Sequence, residues 1–150
     1  MALDLYAPTG KYNRNDPSSL GKNIWMAQPV VALSYLQAAG VNAELKLMYD
    51  INQRNSATDT RSGQALRADY AVGNGFGNGW VAGVGGHVFR QVSADDGPAA
   101  AGKARAIAIG PTLKYDTGKG VFFTAKLQRE YAVRNRPEGQ QLYVKAVMPF

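Results

Sequence analysis

Alternation of apolar and polar residues, repeated along the whole chain, is the feature that most restricts its fold. In residues 41–51, VNAELKLMYDI, the odd positions are all apolar and the even positions are mostly polar or charged. Because successive side chains of a β-strand point to opposite faces, this period of two predicts a strand with one apolar and one ionic face. Seventeen glycines and eight tyrosines also suit turns and strands better than helices.

The same alternation predicts about eight strands in all. The other seven segments are 3–7, 24–36, 64–72, 80–92, 103–115, 121–134 and 140–150. Most are close to the roughly 9–11 residues that a tilted membrane strand needs. Arg129 is an exception, since it falls on the apolar row of its segment.

The connections between these segments alternate between long and short. Long connections are 8–23, 52–63 and 92–103, short ones are 37–40, 73–79 and 116–120, and 135–139 is of middling length. This parity places the long loops at one end of the strands and the tight turns at the other, as in outer-membrane barrels. We therefore expect residues 1–150 to be one domain, an antiparallel up-and-down transmembrane β-barrel. An eight-stranded barrel that closes has an interior filled by side chains.

In such a barrel the apolar row of each strand contacts lipid and the ionic row lines the lumen. The predicted lumen or solute-lining residues are Glu44, Lys46, Asp50, Arg67, Asp69, His87, Phe89, Gln91, Lys114, Lys126, Gln128, Glu130, Tyr143 and Lys145, with Arg134 continuing the row. Charges of both signs in a confined space should pair. The row therefore predicts either a structural plug or a solute-binding lining. In the second case, Met48, Phe89 and Tyr143 would give apolar contact to a solute.

Aromatic residues at the strand ends predict two membrane boundaries, because an apolar ring with a polar handle suits the lipid–water interface. The predicted interface aromatics are Trp25, Tyr35, Trp80, Tyr115 and Phe150. The final stretch, LYVKAVMPF, places Phe150 in the same row as Leu142 and Val144. It is similar to the terminal strand by which barrel assembly machinery recognises its substrates.

Several other classes of function are disfavoured. The chain has no cysteine and one histidine, so we expect no zinc site and no disulfide. The net charge of +6 is scattered, so we expect no nucleic-acid partner. The longest uncharged run, 23–43, is too polar for a spanning helix. The phosphate-loop-like GPAAAGK (97–103) and the dinucleotide-like GNGWVA (77–82) each precede a strand pattern rather than a helix, so we expect no cofactor.

Smaller motifs have modest expected roles. We expect His87 to be a hydrogen-bonded lumen residue, and Asp95-Asp96 to be a solvated loop tip rather than a cation site. The loop cations would lie near lipopolysaccharide phosphates or form a screened rim: Lys11, Arg14, Lys22, Arg54, Arg61, Lys103 and Arg136.

A set of short motifs occurs in a recognisable order from about residue 6 to the end. They are Gly10-Lys-Tyr12, Leu20-Gly-Lys-Asn-Ile-Trp25, Gln28-Pro29, Leu33-Ser-Tyr35, Asn55 with Thr60-Arg-Ser-Gly63, Asp69-Tyr70, Gln91 with Asp95-Asp96, Ile109-Gly-Pro111, and Glu130 with Asn135-Arg136 and Gly139. In these the chain resembles the meta-pathway phenol-degradation family of outer-membrane proteins. The resemblance implies a non-enzymatic, porin-like barrel associated with uptake of hydrophobic or aromatic compounds, in the outer membrane of a Gram-negative-type bacterium.

The expected partners follow from this resemblance. They are outer-membrane lipid and lipopolysaccharide, the assembly machinery acting on the C-terminal strand, and a hydrophobic or aromatic small molecule. Family members are usually longer and begin with a secretion signal, whereas this chain begins Met-Ala-Leu-Asp-Leu. We therefore expect it to be the C-terminal portion of a larger barrel, a gene fragment or a mature form with an added start.

Other functions remain open at the level of sequence. One is a structural outer-membrane barrel without transport. Another is a lipid-modifying barrel enzyme that uses His87 with Ser34 or Tyr35. A third is a soluble, lipocalin-like ligand-binding barrel, in which the apolar row would face inward and the charged row would face water.

Overall fold

A computed structural model of the chain describes residues 1–16, 21, 23–98, 100 and 102–149. The strands are β1 (Ala2–Tyr6), β2 (Met26–Tyr35), β3 (Ala39–Asn52), β4 (Ala65–Phe76), β5 (Trp80–Gln91), β6 (Arg105–Asp116), β7 (Phe122–Arg134) and β8 (Gln140–Val147). They form one sheet in chain order, and each strand is antiparallel to the next. The all-β, up-and-down prediction is confirmed. Within the described residues the sheet is open, with β1 and β8 at its edges.

The predicted alternation of loop lengths is present. The turns 36–38, 77–79 and 117–121 lie at one end of the sheet, called here the short-turn end. The described residues of the remaining connections, within 7–25, 53–64, 92–104 and 135–139, lie at the other, the long-loop end. None of the described residues belongs to a helix that is long and apolar enough to cross a membrane.

The predicted connection at 73–79 is wrong in its extent, because glycines in this segment were interpreted as turn residues. Gly73 and Gly75 instead belong to β4, paired with Gly83 and Val81 of β5. The reversal is made by Gly77 and Gly79, whose φ angles of 79° and 87° favour glycine. In the same way β3 already begins at Ala39, inside the turn predicted at 37–40.

The two faces of the sheet differ in exposure. The apolar row, called the outer face, is open to the surroundings: Leu45 is 37% exposed, Ile109 45% and Val144 70%. Residues directly opposite each other on neighbouring strands share a face. By this criterion the buried apolar residues lie on the opposite, inner face: Val30, Met48, Ala65, Ala106 and Ala108. The molecule therefore exposes most of its large apolar side chains. In the ionic row Asp50 and Glu130 are buried, whereas Glu44, Lys46, Asp69 and Lys145 are exposed.

The sheet curves so that the inner face is concave. Residues of β3 and of β8, five strands apart in the sheet, line the same cavity of about 540 Å³. A bulge lies at the long-loop end of β7. There the register shifts between Arg105 and Ile107 of β6, and Ala132 has a φ of 53°. Bulges of this kind increase local bending and twist.

The bulge changes the face of one predicted lumen residue. Arg134 pairs with Arg105, which is in phase with the outer residues Ile107 and Ile109. The prediction that Arg134 continues the lumen row is therefore wrong, because one extra residue reverses the alternation. Arg129 pairs with Ile109 on the outer face, and its guanidinium lies 5.6 Å from the centre of the Tyr131 ring. This stacking gives the charge a partner within the apolar row.

Candidate functional site

The inner face contains a connected group of polar side chains near the long-loop end. Its first part is built around Asp50 of β3, which is only 2% exposed. The carboxylate accepts hydrogen bonds from Gln28 Nε2 at 2.5 Å and from Arg67 Nε at 2.6 Å. Arg67 in turn lies 5.2 Å from the centre of the Phe89 ring. The alternation of β2 to β5 brings these four side chains to one face.

A second arginine approaches the same ring from the connection between β7 and β8. Arg136 lies 5.5 Å from the centre of Phe89 and donates to Glu130 Oε1 at 2.9 Å. Glu130 also accepts from the Gly139 amide at 3.1 Å, and its Oε1 is 3.3 Å from His87 Nε2. We call the whole group the inner network; it comprises Gln28, Asp50, Arg67, Phe89, Arg136, Glu130 and His87.

The inner network satisfies its own charges. Each of its two buried carboxylates bonds an arginine, and each arginine also stacks on Phe89. Burying a carboxylate is costly unless it is paired and hydrogen-bonded, so this arrangement suits an enclosed position. Across the described chain, every buried side-chain nitrogen or oxygen has a hydrogen-bond partner. The network therefore forms a layer held by ion pairs and hydrogen bonds, between the long loops and the rest of the inner face.

A cavity of about 540 Å³ occupies the inner face toward the short-turn end. One wall carries Lys114, Lys126 and Lys145 of β6, β7 and β8, and the other includes Glu44 and Asp69 of β3 and β4. A smaller space of about 270 Å³ adjoins it, and both are lined by His87 and Gln128. The volume of the larger cavity falls within the range of small-molecule sites, about 300–1,000 Å³.

The structure brings most of the predicted lumen residues together. Those that line the larger cavity are Glu44, Asp69, His87, Lys114, Lys126, Gln128, Tyr143 and Lys145. Glu130 lines the smaller one, and Asp50, Arg67 and Phe89 belong to the inner network.

Two of the predicted lumen residues lie apart from these groups. Lys46 is opposite Asp69 in the register but lines neither cavity. Gln91 is buried beside the loops, where it bonds Asp95 and the Ala104 amide.

Three residues of the site were not singled out from the sequence for the role they have. Phe122 lines the cavity, and its ring centre lies 5.2 Å from Lys114 Nζ and 5.5 Å from Lys145 Nζ. The doublet Phe122-Phe123 was a usable signal, since adjacent strand residues face opposite sides. Arg136 was assigned to the loop rim, and no periodic pattern in a loop predicts its contact with Glu130. Gln28 was named only as part of the Gln28-Pro29 motif.

The long loops are held together by ionic contacts. Arg54 pairs with Asp59 and with Asp96, and Arg61 and Asp96 exchange backbone hydrogen bonds. Asp95 accepts from the Gly63 amide at 2.8 Å and from Gln91. Asp96 is exposed, as predicted for a solvated loop residue, whereas Asp95 is half-buried. Both carboxylates also tie one loop to another, which was not predicted. In the described chain no cluster of three metal-binding side chains occurs, and Lys22 lies outside the described residues.

The predicted interface aromatics lie at the two ends of the strands. Trp80 begins β5, and its ring centre is 4.7 Å from that of Tyr115. Tyr35 ends β2 at the same short-turn end, while Trp25 immediately precedes β2 at the long-loop end. Trp25, Tyr35 and Trp80 are exposed, and Phe150 lies outside the described residues.

Neither of the two predicted nucleophiles, Ser34 and Tyr35, lies next to His87. Ser34 is on β2, three strands from β5, which is about 14 Å at the usual strand spacing. Tyr35 pairs with Ala43 in the register and is on the outer face. The contact recorded for His87 is with Glu130.

Comparison with protein families matches residues 1–146 to the family described as "Putative MetA-pathway of phenol degradation". The match covers nearly the whole chain, so the chain belongs to this family. Neither curated proteins nor solved structures give a match.

Proposed function

We propose that this member of the phenol-degradation family closes into an outer-membrane β-barrel in a Gram-negative-type bacterium and takes part in the uptake of hydrophobic or aromatic small molecules. The observation that carries the proposal is the sidedness of the sheet. Its apolar row is exposed, and its ionic row lies in the concavity with a ligand-sized cavity.

An aqueous environment would make this sidedness costly. Each square ångström of apolar surface left in water costs about 25 cal/mol relative to burial, and the outer face exposes large apolar side chains on all eight strands. In a bilayer the same surface is satisfied by acyl chains. A lipocalin-like barrel would need the reverse arrangement, with the apolar row around its ligand. Membrane insertion therefore accounts better for the exposed row.

The proposal also requires that the open edges of the sheet be paired in the membrane. A strand edge within lipid leaves backbone N–H and C=O groups unsatisfied, at several kcal/mol per group. We infer that the edges at β1 and β8 pair with each other, with further strands, or with another copy. The expected partners are then outer-membrane lipid and lipopolysaccharide, together with assembly machinery that acts on the C-terminal strand.

The inner face suits binding and passage better than catalysis. The larger cavity has both apolar and charged lining, and the inner network separates it from the long loops. A solute that moves through the barrel along its axis must displace part of this network or pass beside it. Because Ser34 and Tyr35 are not beside His87, we favour a non-enzymatic role over lipid hydrolysis.

Reconstitution tests the proposal in two steps. The refolded protein in detergent should migrate faster in a gel before boiling than after, as a closed barrel does. Vesicles that contain it should then release a trapped aromatic dye, such as a naphthalene sulfonate, faster than protein-free vesicles. Equal migration before and after boiling would argue against the barrel. Heat-dependent migration with dye release equal to that of protein-free vesicles would reject transport and leave a structural barrel.

A further inference from the structure

Three lysines surround one threonine on the cationic wall of the larger cavity. Thr124 of β7 is directly opposite Lys114 of β6 on one side and Lys145 of β8 on the other. Lys126 follows two residues later on β7, on the same face, opposite Thr112 and Tyr143. The register thus places three lysine residues next to one threonine, with no two lysines directly opposite each other.

Within the described part of the chain, these ammonium groups have no acidic partner. Among the residues that the structure describes, no carboxylate oxygen lies within 4.0 Å of the Nζ atom of Lys114, Lys126 or Lys145. Elsewhere on this face the buried carboxylates Asp50 and Glu130 are bound by arginines. The cationic wall therefore has an excess of positive charge that an anion in the cavity would neutralise.

Aromatic side chains lie beside the lysines. Phe122 is contacted by the ammonium groups of Lys114 and Lys145, and Tyr143 is directly opposite Lys126. Both rings line the cavity. A ligand with a planar ring next to its charged group would contact the rings and the ammonium groups at once.

We propose that this cavity is a binding site for an aromatic monocarboxylate, with the carboxylate held by Lys114, Lys126 and Lys145 and the ring against Phe122 and Tyr143. The inference rests on the proposed function and narrows its solute. Thr112 and Thr124 supply hydroxyl donors for the carboxylate oxygens. Bonds from ammonium to carboxylate are charge-assisted and stronger than those to a neutral hydroxyl.

The charge of the cavity discriminates between related aromatic compounds. A phenol, with a pKa of about 10 for a phenolic hydroxyl, is neutral at pH 7 and gains little from the lysines. The opposite wall carries Glu44 and Asp69, so a second carboxylate on the far side of the ring would be repelled. The site should thus prefer benzoate to benzyl alcohol, and benzoate to terephthalate.

Calorimetric titration of the refolded protein in uncharged detergent tests this preference without any substitution. Benzoate should bind at least about tenfold more tightly than benzyl alcohol, acetate or terephthalate. Its affinity should fall as salt is added, since exposed charges are screened. Equal affinity for benzoate and benzyl alcohol, or no binding of benzoate, would overturn the site.

Matched variants locate the site. Lys126→Gln should weaken benzoate binding about tenfold and leave benzyl alcohol unchanged. Lys119→Gln removes the same charge from the β6–β7 turn, outside the cavity, and should change benzoate affinity less than twofold. Equal losses in the two variants would show a general charge effect and reject the site. Folding of each variant is checked by heat-dependent migration.

Dye release from vesicles separates this inference from the proposed function. Release that exceeds protein-free vesicles, together with benzoate binding no tighter than benzyl alcohol binding, overturns the carboxylate site and keeps transport. Selective benzoate binding without release supports the site and rejects transport. If both selective binding and release are absent, both proposals fail.

Discussion

Asp50 shows at the scale of one residue how an ionic side chain is accommodated on the inner face. It is nearly inaccessible to solvent, and its two oxygens each accept one hydrogen bond, from Gln28 and Arg67. Removing one partner of such a group leaves the other desolvated and unpaired, which costs more than the pair itself contributes. Asp50 should therefore matter to stability far more than the exposed acids of the loops.

The substitution Asp50→Asn keeps the shape and removes the charge. We expect the free energy of unfolding to fall by about 1–3 kcal/mol, because the Arg67 guanidinium loses its counter-charge. The measurement is a denaturant titration of the refolded protein in detergent. Asp59→Asn is the control, since Asp59 is 76% exposed and its pair with Arg54 should contribute about 1 kcal/mol or less. Equal losses in the two variants would contradict the role given to Asp50.

Sequence alternation predicts the face of a single residue better than it predicts the partner. It placed Asp50, Arg67 and Glu130 together in the lumen row, and the structure has them on one face. Alternation did not explain Arg129, a cation on the apolar row. Its partner in the structure is the ring of Tyr131. Side-chain partners depend on strand register, which alternation within one strand does not contain.

At the scale of one strand, β5 depends on a glycine at a close approach to its neighbours. Gly86 is opposite Tyr70 of β4 and Ile109 of β6. The Tyr70 hydroxyl reaches across it and donates to the Ala108 carbonyl at 2.9 Å. A Cβ atom at Gly86 would lie 1.8 Å from that carbonyl oxygen and 2.8 Å from the hydroxyl. No side chain other than hydrogen fits there without movement of the strand.

Gly86→Ala should therefore loosen the pairing of β5 with β6. We expect a loss of about 1–3 kcal/mol in the free energy of unfolding, the usual range for overpacking. Unfolding by denaturant measures the loss, and amide hydrogen exchange on β6 should show weaker protection. Gly139→Ala is the matched control, because a Cβ there has nothing within 4 Å and the amide that bonds Glu130 is retained. Unchanged stability in Gly86→Ala would refute the close approach.

The elements themselves were largely predictable from the period of two. All eight strands are present, and their bounds differ from the predicted segments mostly by one to three residues at an end. The exceptions have physical causes. Glycines at 73 and 75 resemble a turn in the sequence but act as small strand residues, and the bulge at Ala132 reverses the alternation of β7.

At the scale of the whole molecule, the inner face is divided into two layers. The inner network fills the long-loop end, and the cavity occupies the short-turn end. The sequence predicted either a plug or a solute-binding lining, whereas the structure has an ion-paired layer at one end of the inner face and a cavity at the other. The division was not predictable, because it depends on contacts between strands that are distant in the chain.

Phe89 is the element of the network that should control passage between the layers. Two guanidinium groups contact its ring, so Phe89→Ala removes the surface that both arginines contact. We expect faster dye release from vesicles than with the unsubstituted protein, since the gap opens toward the cavity. Phe123→Ala is the control, because Phe123 pairs with Tyr115 on the outer face. No increase for Phe89→Ala, or an equal increase for both, would contradict a plug at this level.

The sidedness of the strands is tested most directly by nitroxide labels along β7 in the reconstituted protein. The chain contains no cysteine, so single cysteines at 124, 125, 127 and 128 can each carry one label. The account predicts that labels at Ala125 and Leu127 collide with oxygen dissolved in the bilayer, while labels at Thr124 and Gln128 collide with a water-soluble nickel complex. The opposite pattern, or equal accessibility at all four positions, would contradict it.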